Sequence, residues 1–171
     1  MSGDGGGALP GAQAAAEALR ALEAAGATLA TAESLTGGLI SAAVTGVPGA
    51  SAVYRGGAVA YATDLKARLL DVPRDLLAER GAVDPDVAGA MAEGARHRMA
   101  ADYGLAVTGV AGPDPQDGRS AGTVFAAVSG PRGGARVSGL SFSGDRARIR
   151  ARTVEQALRL LGAEVSAITG R

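Results

Sequence analysis

Five residues, Gly130-Pro131-Arg132-Gly133-Gly134, separate two strand-like runs, Gly122–Ser129 and Ala135–Phe142. So short a link cannot carry a crossover, so the two runs must pair as an antiparallel hairpin. Upstream of them the chain alternates helical patterns with strand-length apolar runs. Ala12–Ala25 reads as an amphipathic helix with Glu17, Arg20 and Glu23 on one side and Gly26 at its end. Ala27–Thr31 suits a buried strand. A second helix over about Gly38–Thr45 is broken by Val47-Pro48-Gly49, and Ala52–Tyr61 alternates as a second strand. Asp64–Leu70 is helical, Pro73–Glu79 adds a turn, and Asp84-Pro85-Asp86 opens a helix running to about Ala101 with Pro in its first turn. Leu105–Val110 is apolar throughout, as a central strand should be. Asp145 caps a last helix running to about Leu161. Strands alternating with helices, then a hairpin, predict an α/β chain. The expected architecture is a three-layer α/β/α sandwich with a mixed, mostly parallel five-stranded sheet. Residues 10–171 form one domain behind a flexible tail, 1–9.

Aromatic residues make up only 3% of the chain, while Ala and Gly dominate. Packing must therefore rely on Val, Leu and Ile and on close approach of backbones. There is no Cys, which excludes disulfides, thiolate metal sites and a cysteine nucleophile. The single His97 lies between Arg96 and Arg98 in a helical pattern, so a Ser–His–Asp triad is not expected and any nucleophile needs another base. Zinc chemistry built on several His or Cys ligands is excluded as well.

Acidic and basic residues balance at 17 each. That offers no general electrostatic grip on nucleic acid or an anionic membrane. Ser34–Tyr54 carries no formal charge, but its glycines, Pro48 and hydroxyls describe a buried helix and a turn rather than a membrane span. The first residues lack a basic segment followed by an apolar core. A soluble, cytoplasmic protein is expected.

Lys66 is the only lysine; the other 16 basic residues are arginines. Arginine stays protonated in any site, whereas a desolvated lysine can lose its proton and act as a base. Lys66 follows Tyr61-Ala62-Thr63-Asp64-Leu65, downstream of the serine-bearing, glycine-rich Ala32-Glu33-Ser34-Leu35-Thr36-Gly37-Gly38. The pairing suggests a serine nucleophile with a lysine base. The alternative is a lone surface lysine in a chain otherwise emptied of them.

Sites in open α/β sheets gather at the carboxyl ends of strands, and three segments qualify. Around Ser34, Thr36, Gly37 and Gly38 let a ligand approach the backbone at a helix start, either as an anion cradle or simply as a cap. Thr108-Gly109-Val110-Ala111-Gly112-Pro113-Asp114 follows the most apolar strand and leaves room for a substrate or makes a tight turn. Asp114 and Asp117 could hint at a metal, but acids in a surface turn are usually just solvated, and no metal is expected. In Asp145-Arg146-Ala147-Arg148-Ile149-Arg150, helical spacing puts Arg146 and Arg150 on one face. They could grip a phosphate or carboxylate, or form a solvated cationic face.

Taken in order, these segments resemble the C-terminal domain of the competence/damage-inducible protein CinA, the nicotinamide-nucleotide amidohydrolases. Further matching stretches are Val47-Pro48-Gly49-Ala50-Ser51, Leu70-Asp71-Val72, Gly81-Ala82-Val83, Met91-Ala92-Glu93-Gly94-Ala95, Gly122-Thr123-Val124 and Gly144-Asp145-Arg146. The resemblance implies deamidation of nicotinamide mononucleotide to nicotinate mononucleotide and ammonia. It puts the nucleophile on Ser34, its lysine and tyrosine partners on Lys66 and Tyr61, a threonine on Thr108, and a substrate-binding arginine on Arg146 or Arg150. It implies a small-molecule nucleotide as partner, no metal or organic cofactor, and a homodimer or larger homo-oligomer; the balanced charge already argues for no nucleic acid or membrane partner. Longer members carry an additional N-terminal nucleotide-binding domain for which 171 residues leave no room. The expectation is therefore confined to the amidohydrolase. A non-catalytic nucleotide- or partner-binding module is the alternative.

Two departures stand out. Leu35 occupies a position where many relatives have Cys, and Asp114-Pro115 follows Gly112-Pro113 where many have a glycine pair. The implied chemistry needs a neutral Lys66 to take the Ser34 proton, directly or through Tyr61, unless Tyr61 stacks on the pyridinium instead. Backbone N–H groups near Thr36 and Gly37 would hold the oxyanion, with Gly38, Gly109 and Gly112 shaping the substrate site. A lysine titrating near its usual 10.4 would be a poor base; burial and a neighbouring arginine could supply the shift. Glu33 and Asp64 must then stay away from its amine.

Overall fold

Five strands, β1 (Leu29–Glu33), β2 (Tyr54–Val59), β3 (Tyr103–Gly109), β4 (Thr123–Ser129) and β5 (Ala135–Ser141), form one sheet in the order β2-β1-β3-β4-β5. β1 runs parallel to β2 and β3, while β4 is antiparallel to both β3 and β5. Four strands therefore point one way and β4 alone is reversed, the mixed sheet that the short hairpin link requires. The computed structural model describes residues 7–170. Most of the expected tail, residues 1–6, lies outside the described residues.

Helices α1 (Ala12–Ala24), α2 (Leu39–Thr45) and α6 (Arg146–Thr169) cover one face. Helices α3 (Thr63–Leu70), α4 (Arg74–Arg80) and α5 (Pro85–Arg98) cover the other. Strand alternation explains why the two faces differ. Leu29, Leu105, Val107, Val124 and Val128 point toward α1 and α6. Ala30, Ala32, Ala106 and Ala127 point toward α5. The alanine face lets α5 lie almost on the sheet, as the low aromatic content requires.

Gly94 makes the same economy of space between helices. A Cβ there would stand 1.8 Å from the Leu70 carbonyl oxygen, so only glycine lets the end of α3 rest on α5. That contact seats the helix that carries Lys66.

Several boundaries differ from the sequence reading: β2 is shorter at both ends than Ala52–Tyr61, β3 begins two residues before Leu105, the turn expected over Pro73–Glu79 is helix α4, and α5 ends at Arg98 rather than near Ala101. β1 lies two residues later than Ala27–Thr31, because its pairing with β3 starts at Leu29 and the Glu33 carbonyl still accepts from Ala60 N–H. α6 continues past Leu161 to Thr169, because Leu161 and Val165 are still buried and Ile168 packs on the same core. Burial outweighs the helix-weakening Gly162. The expected caps are present: the Asp84 carboxylate accepts from Asp86 N–H and that of Asp145 from Arg148 N–H, both at 2.8 Å. Among the described residues no helix is long and apolar enough to cross a membrane.

Candidate active site

Parallel β1 and β3 end side by side, and the chain leaves them in different directions: after β1 to α2, after β3 into the loop 110–122. A cleft of about 280 Å³ lies at these carboxyl ends, lined by Ser34 and Leu35 from the first exit, Tyr61 from the end of β2, Gly109–Gln116 from the second exit, and Arg146 from α6.

Glu33, the last residue of β1, organises the first exit. Its side chain is fully buried, and its carboxylate accepts five hydrogen bonds. One oxygen takes the Thr36 hydroxyl at 2.7 Å, Gly38 N–H at 3.2 Å and Ile40 N–H at 2.9 Å. The other takes Ser41 N–H at 3.0 Å and the Ser41 hydroxyl at 2.7 Å. The carboxylate thus satisfies N–H groups that the start of α2 leaves open. Behind it, Ser41, Tyr54 and Thr31 hydroxyls continue the network at 2.7–3.1 Å. Ser34, the next residue, leads into the turn that this cap holds, and Gly37 N–H closes the turn on the Ser34 carbonyl at 3.0 Å.

Lys66 comes to Ser34 from the opposite layer. Its side chain is 1% exposed, with Nζ 3.1 Å from Ser34 Oγ. Nζ also donates to the carbonyl oxygens of Ala60 at 2.8 Å and Tyr61 at 3.4 Å. Two carbonyls thus take two N–H bonds, and the remaining tetrahedral position faces the serine. When the amine is neutral, that position is its lone pair, and the Ser34 hydroxyl can donate into it. Burial lowers the Lys66 amine from 10.5 to about 8, while the Asp117 carboxylate acts in the opposite direction. Neither carboxylate that had to stay clear of the amine is paired with it. Glu33 is engaged by α2, and Asp64 is exposed with its carboxylate 3.8 Å from Arg68. Burial, not an arginine, is what lowers the amine.

The other expected site residues divide into two groups. Tyr61, Gly109, Gly112 and Arg146 line the cleft with Ser34. The Arg146 guanidinium donates to the Tyr61 hydroxyl and to the Gly112 carbonyl, both at 3.0 Å, bridging the two walls. The Tyr61 hydroxyl therefore faces Arg146, not the lysine amine; only its carbonyl reaches Lys66. Thr36, Gly37, Gly38, Thr108 and Arg150 do not line the cleft. The Thr36 hydroxyl and Gly38 N–H are bound to Glu33, and Gly37 N–H to Ser34, so of the two N–H groups expected at an oxyanion the Gly37 one is already engaged. The buried Thr108 hydroxyl donates to the Ala82 carbonyl at 2.6 Å. Arg150 donates to the carbonyls of Leu35 at 2.9 Å and Thr36 at 3.1 Å, tying α6 to the Ser34 turn.

The sequence reading took Asp117 for a solvated turn acid, but its carboxylate accepts from Ala82 N–H. Asp117-Gly118 forms a two-residue hairpin with φ of 50° and 72°, closed by Gln116 N–H to Arg119 O at 3.0 Å and Arg119 N–H to Gln116 O at 2.8 Å. The Asp-Gly pair is the local signal for such a turn. What its carboxylate would reach has no local signal.

A model of the CinA C-terminal domain matches residues 11–165. The chain is 53% identical over 135 residues to a CinA-like protein of Frankia casuarinae, covering 79% of this chain and 31% of that protein. A CinA-like protein of Geobacter metallireducens is 52% identical over 134 residues, covering 78% and 32%. The chain thus spans about a third of the length of the curated relatives it matches. Among solved structures, a competence-damaged protein (CinA) superfamily protein from Klebsiella pneumoniae superposes with a TM-score of 0.87 at 33% identity, covering 91% of this chain and 98% of that one. The competence/damage inducible protein CihA from Agrobacterium tumefaciens gives 0.85 at 36% identity, covering 89% and 93%.

Proposed function

The chain belongs to the CinA C-terminal domain family, and on that footing we propose that it hydrolyses the carboxamide of nicotinamide mononucleotide, releasing ammonia and nicotinate mononucleotide. The observation that carries this reading is the 3.1 Å approach of a buried amine to the Ser34 hydroxyl, with both other N–H directions occupied by carbonyls. Ser34 Oγ attacks the carboxamide carbon while its proton passes to neutral Lys66. Lys66 then gives that proton to the departing nitrogen as the C–N bond breaks, and ammonia leaves. Water, deprotonated by the same amine, cleaves the acyl-serine ester and regenerates the hydroxyl. Direct transfer from Ser34 to Lys66 suits a Tyr61 hydroxyl that is bonded to Arg146 instead. The Tyr61 ring then serves as a stacking wall for the pyridinium.

Arg146 is the cation of this scheme for the substrate phosphate. It lines the cleft and is exposed, and its present acceptors are a neutral hydroxyl and a carbonyl that an anion can replace. Arg150 serves as scaffold for the Ser34 turn.

Incubation with nicotinamide mononucleotide should release ammonia and nicotinate mononucleotide in equal amounts, and Ser34→Ala should abolish both. A folded wild-type protein that releases neither would leave a nucleotide- or partner-binding module as the surviving reading.

A further inference from the structure

The loop that forms the outer wall of the cleft is not free to drift. Its tip, the 116–119 hairpin, is docked on the corner between α4 and α5. Asp117 Oδ2 accepts from Ala82 N–H at 2.9 Å. Gly81, with φ of 76°, leaves the seat open: a Cβ there would stand 2.9–3.0 Å from the Asp117 side chain. Ala82 is thus held at both polar groups, its N–H by Asp117 and its carbonyl by the Thr108 hydroxyl at the end of β3. Arg119, one residue beyond the turn, reaches the buried Asp84 carboxylate at 3.8 Å and lies over the Phe125 ring at 5.5 Å from its centre.

We propose that Asp117 is a positioning residue. By docking the 116–119 hairpin on Gly81–Ala82 it holds the cleft wall Gly112–Gln116 opposite Ser34 and ties that wall to the helical layer that carries Lys66. The assignment rests on the hydrolase reading for its kinetic consequence, but not for the docking itself.

The charge of Asp117 has a second effect, because it favours the protonated Lys66 amine. Asp117 is the one charge that shifts that amine, and the charged groups of the neighbouring elements are engaged elsewhere. Asp64 faces Arg68 on α3 itself, Glu33 is held by α2, Asp84 lies near Arg80 and Arg119, and Arg146 bridges Tyr61 and Gly112 at the mouth. Asparagine at 117 keeps an acceptor for Ala82 N–H but removes the charge; alanine removes both. The two variants therefore separate anchoring from electrostatics.

The test compares wild type, Asp117→Asn and Asp117→Ala by amide hydrogen exchange without substrate, and by kcat and KM for nicotinamide mononucleotide across pH. In Asp117→Ala, exchange at Ala82 and along 111–120 should quicken by about fivefold or more, the loss of one hydrogen bond. KM should rise by about fivefold or more, with kcat less affected. Asp117→Asn should stay close to wild type in exchange and KM, while the pH midpoint of turnover moves to lower pH in both variants. Unchanged exchange and KM in Asp117→Ala would overturn the assignment. So would a uniform fall in kcat with unaltered KM and pH midpoint, which marks a merely structural contribution. A wild type with no turnover removes the hydrolase reading, and exchange at Ala82 then decides the docking alone: faster in Asp117→Ala supports it, unchanged overturns it.

Discussion

Lys66 Nζ and Ser34 Oγ meet at 3.1 Å although 32 residues and two layers of the fold separate them. Ser34 leaves the end of β1, and Lys66 lies on α3, beyond β2. The parallel pairing of those two strands brings both exits to one end of the sheet, and Gly94 lets α3 settle deeply enough for the amine to reach.

A single lysine makes the proposed base directly observable. In a sample labelled at lysine Cε, one side-chain resonance should titrate with a midpoint of about 8 rather than 10.5. Turnover should rise with pH through that same midpoint and level off above it, because the neutral amine is the working form in the proposed mechanism. Lys66→Arg should lower kcat by about a hundredfold or more. Near-normal turnover in that variant would remove Lys66 from the chemistry.

The same shift has a stability consequence of definite sign. Between about pH 8 and 10.5 the unfolded chain holds a lysine proton that the folded chain has lost, so folding becomes more favourable as pH rises. Relative to Lys66→Met, the wild type should gain about 3 kcal/mol across that interval. Below pH 8 the full cost of burying a charged amine remains. Denaturant unfolding of both proteins at several pH values measures the difference, and parallel curves would contradict it.

The two arginines of the last helix should respond differently. Arg146→Ala should raise KM for nicotinamide mononucleotide by about tenfold or more, the loss of a charge-assisted contact to the substrate anion, with little change in Tm. Arg150→Ala should remove the side-chain donor to the Leu35 carbonyl and one of the two donors to the Thr36 carbonyl, which keeps Leu39 N–H, and lower stability and kcat together. Kinetics and thermal unfolding of both variants separate these outcomes; equal effects on KM would reject the division of roles.

Glu33 should be the costliest carboxylate to remove. Glu33→Ala leaves five donors around a buried cavity and should destabilise the protein by about 3 kcal/mol or more, measured by denaturant midpoint. Glu33→Gln should fall between, since its amide oxygen can still accept but an N–H₂ facing Ser41 can accept from neither Ser41 donor.

Neighbours in the chain were enough to write most of the architecture. Periodicity, the Asp84 and Asp145 caps and the short link before Ala135 are all local signals, and each acts within a few residues. Ser34 and Lys66 could be singled out by residue chemistry alone. Where side chains finally point is a different matter, because it depends on what the far parts of the chain bring beside them. Glu33 turned to the start of α2, Thr108 to Ala82, Arg150 to the carbonyls of the Ser34 turn, and Asp117 to the α4–α5 corner. Lys66 titrates low for the same reason: desolvation is supplied by layers packed around the amine, and no stretch of sequence around Lys66 carries it.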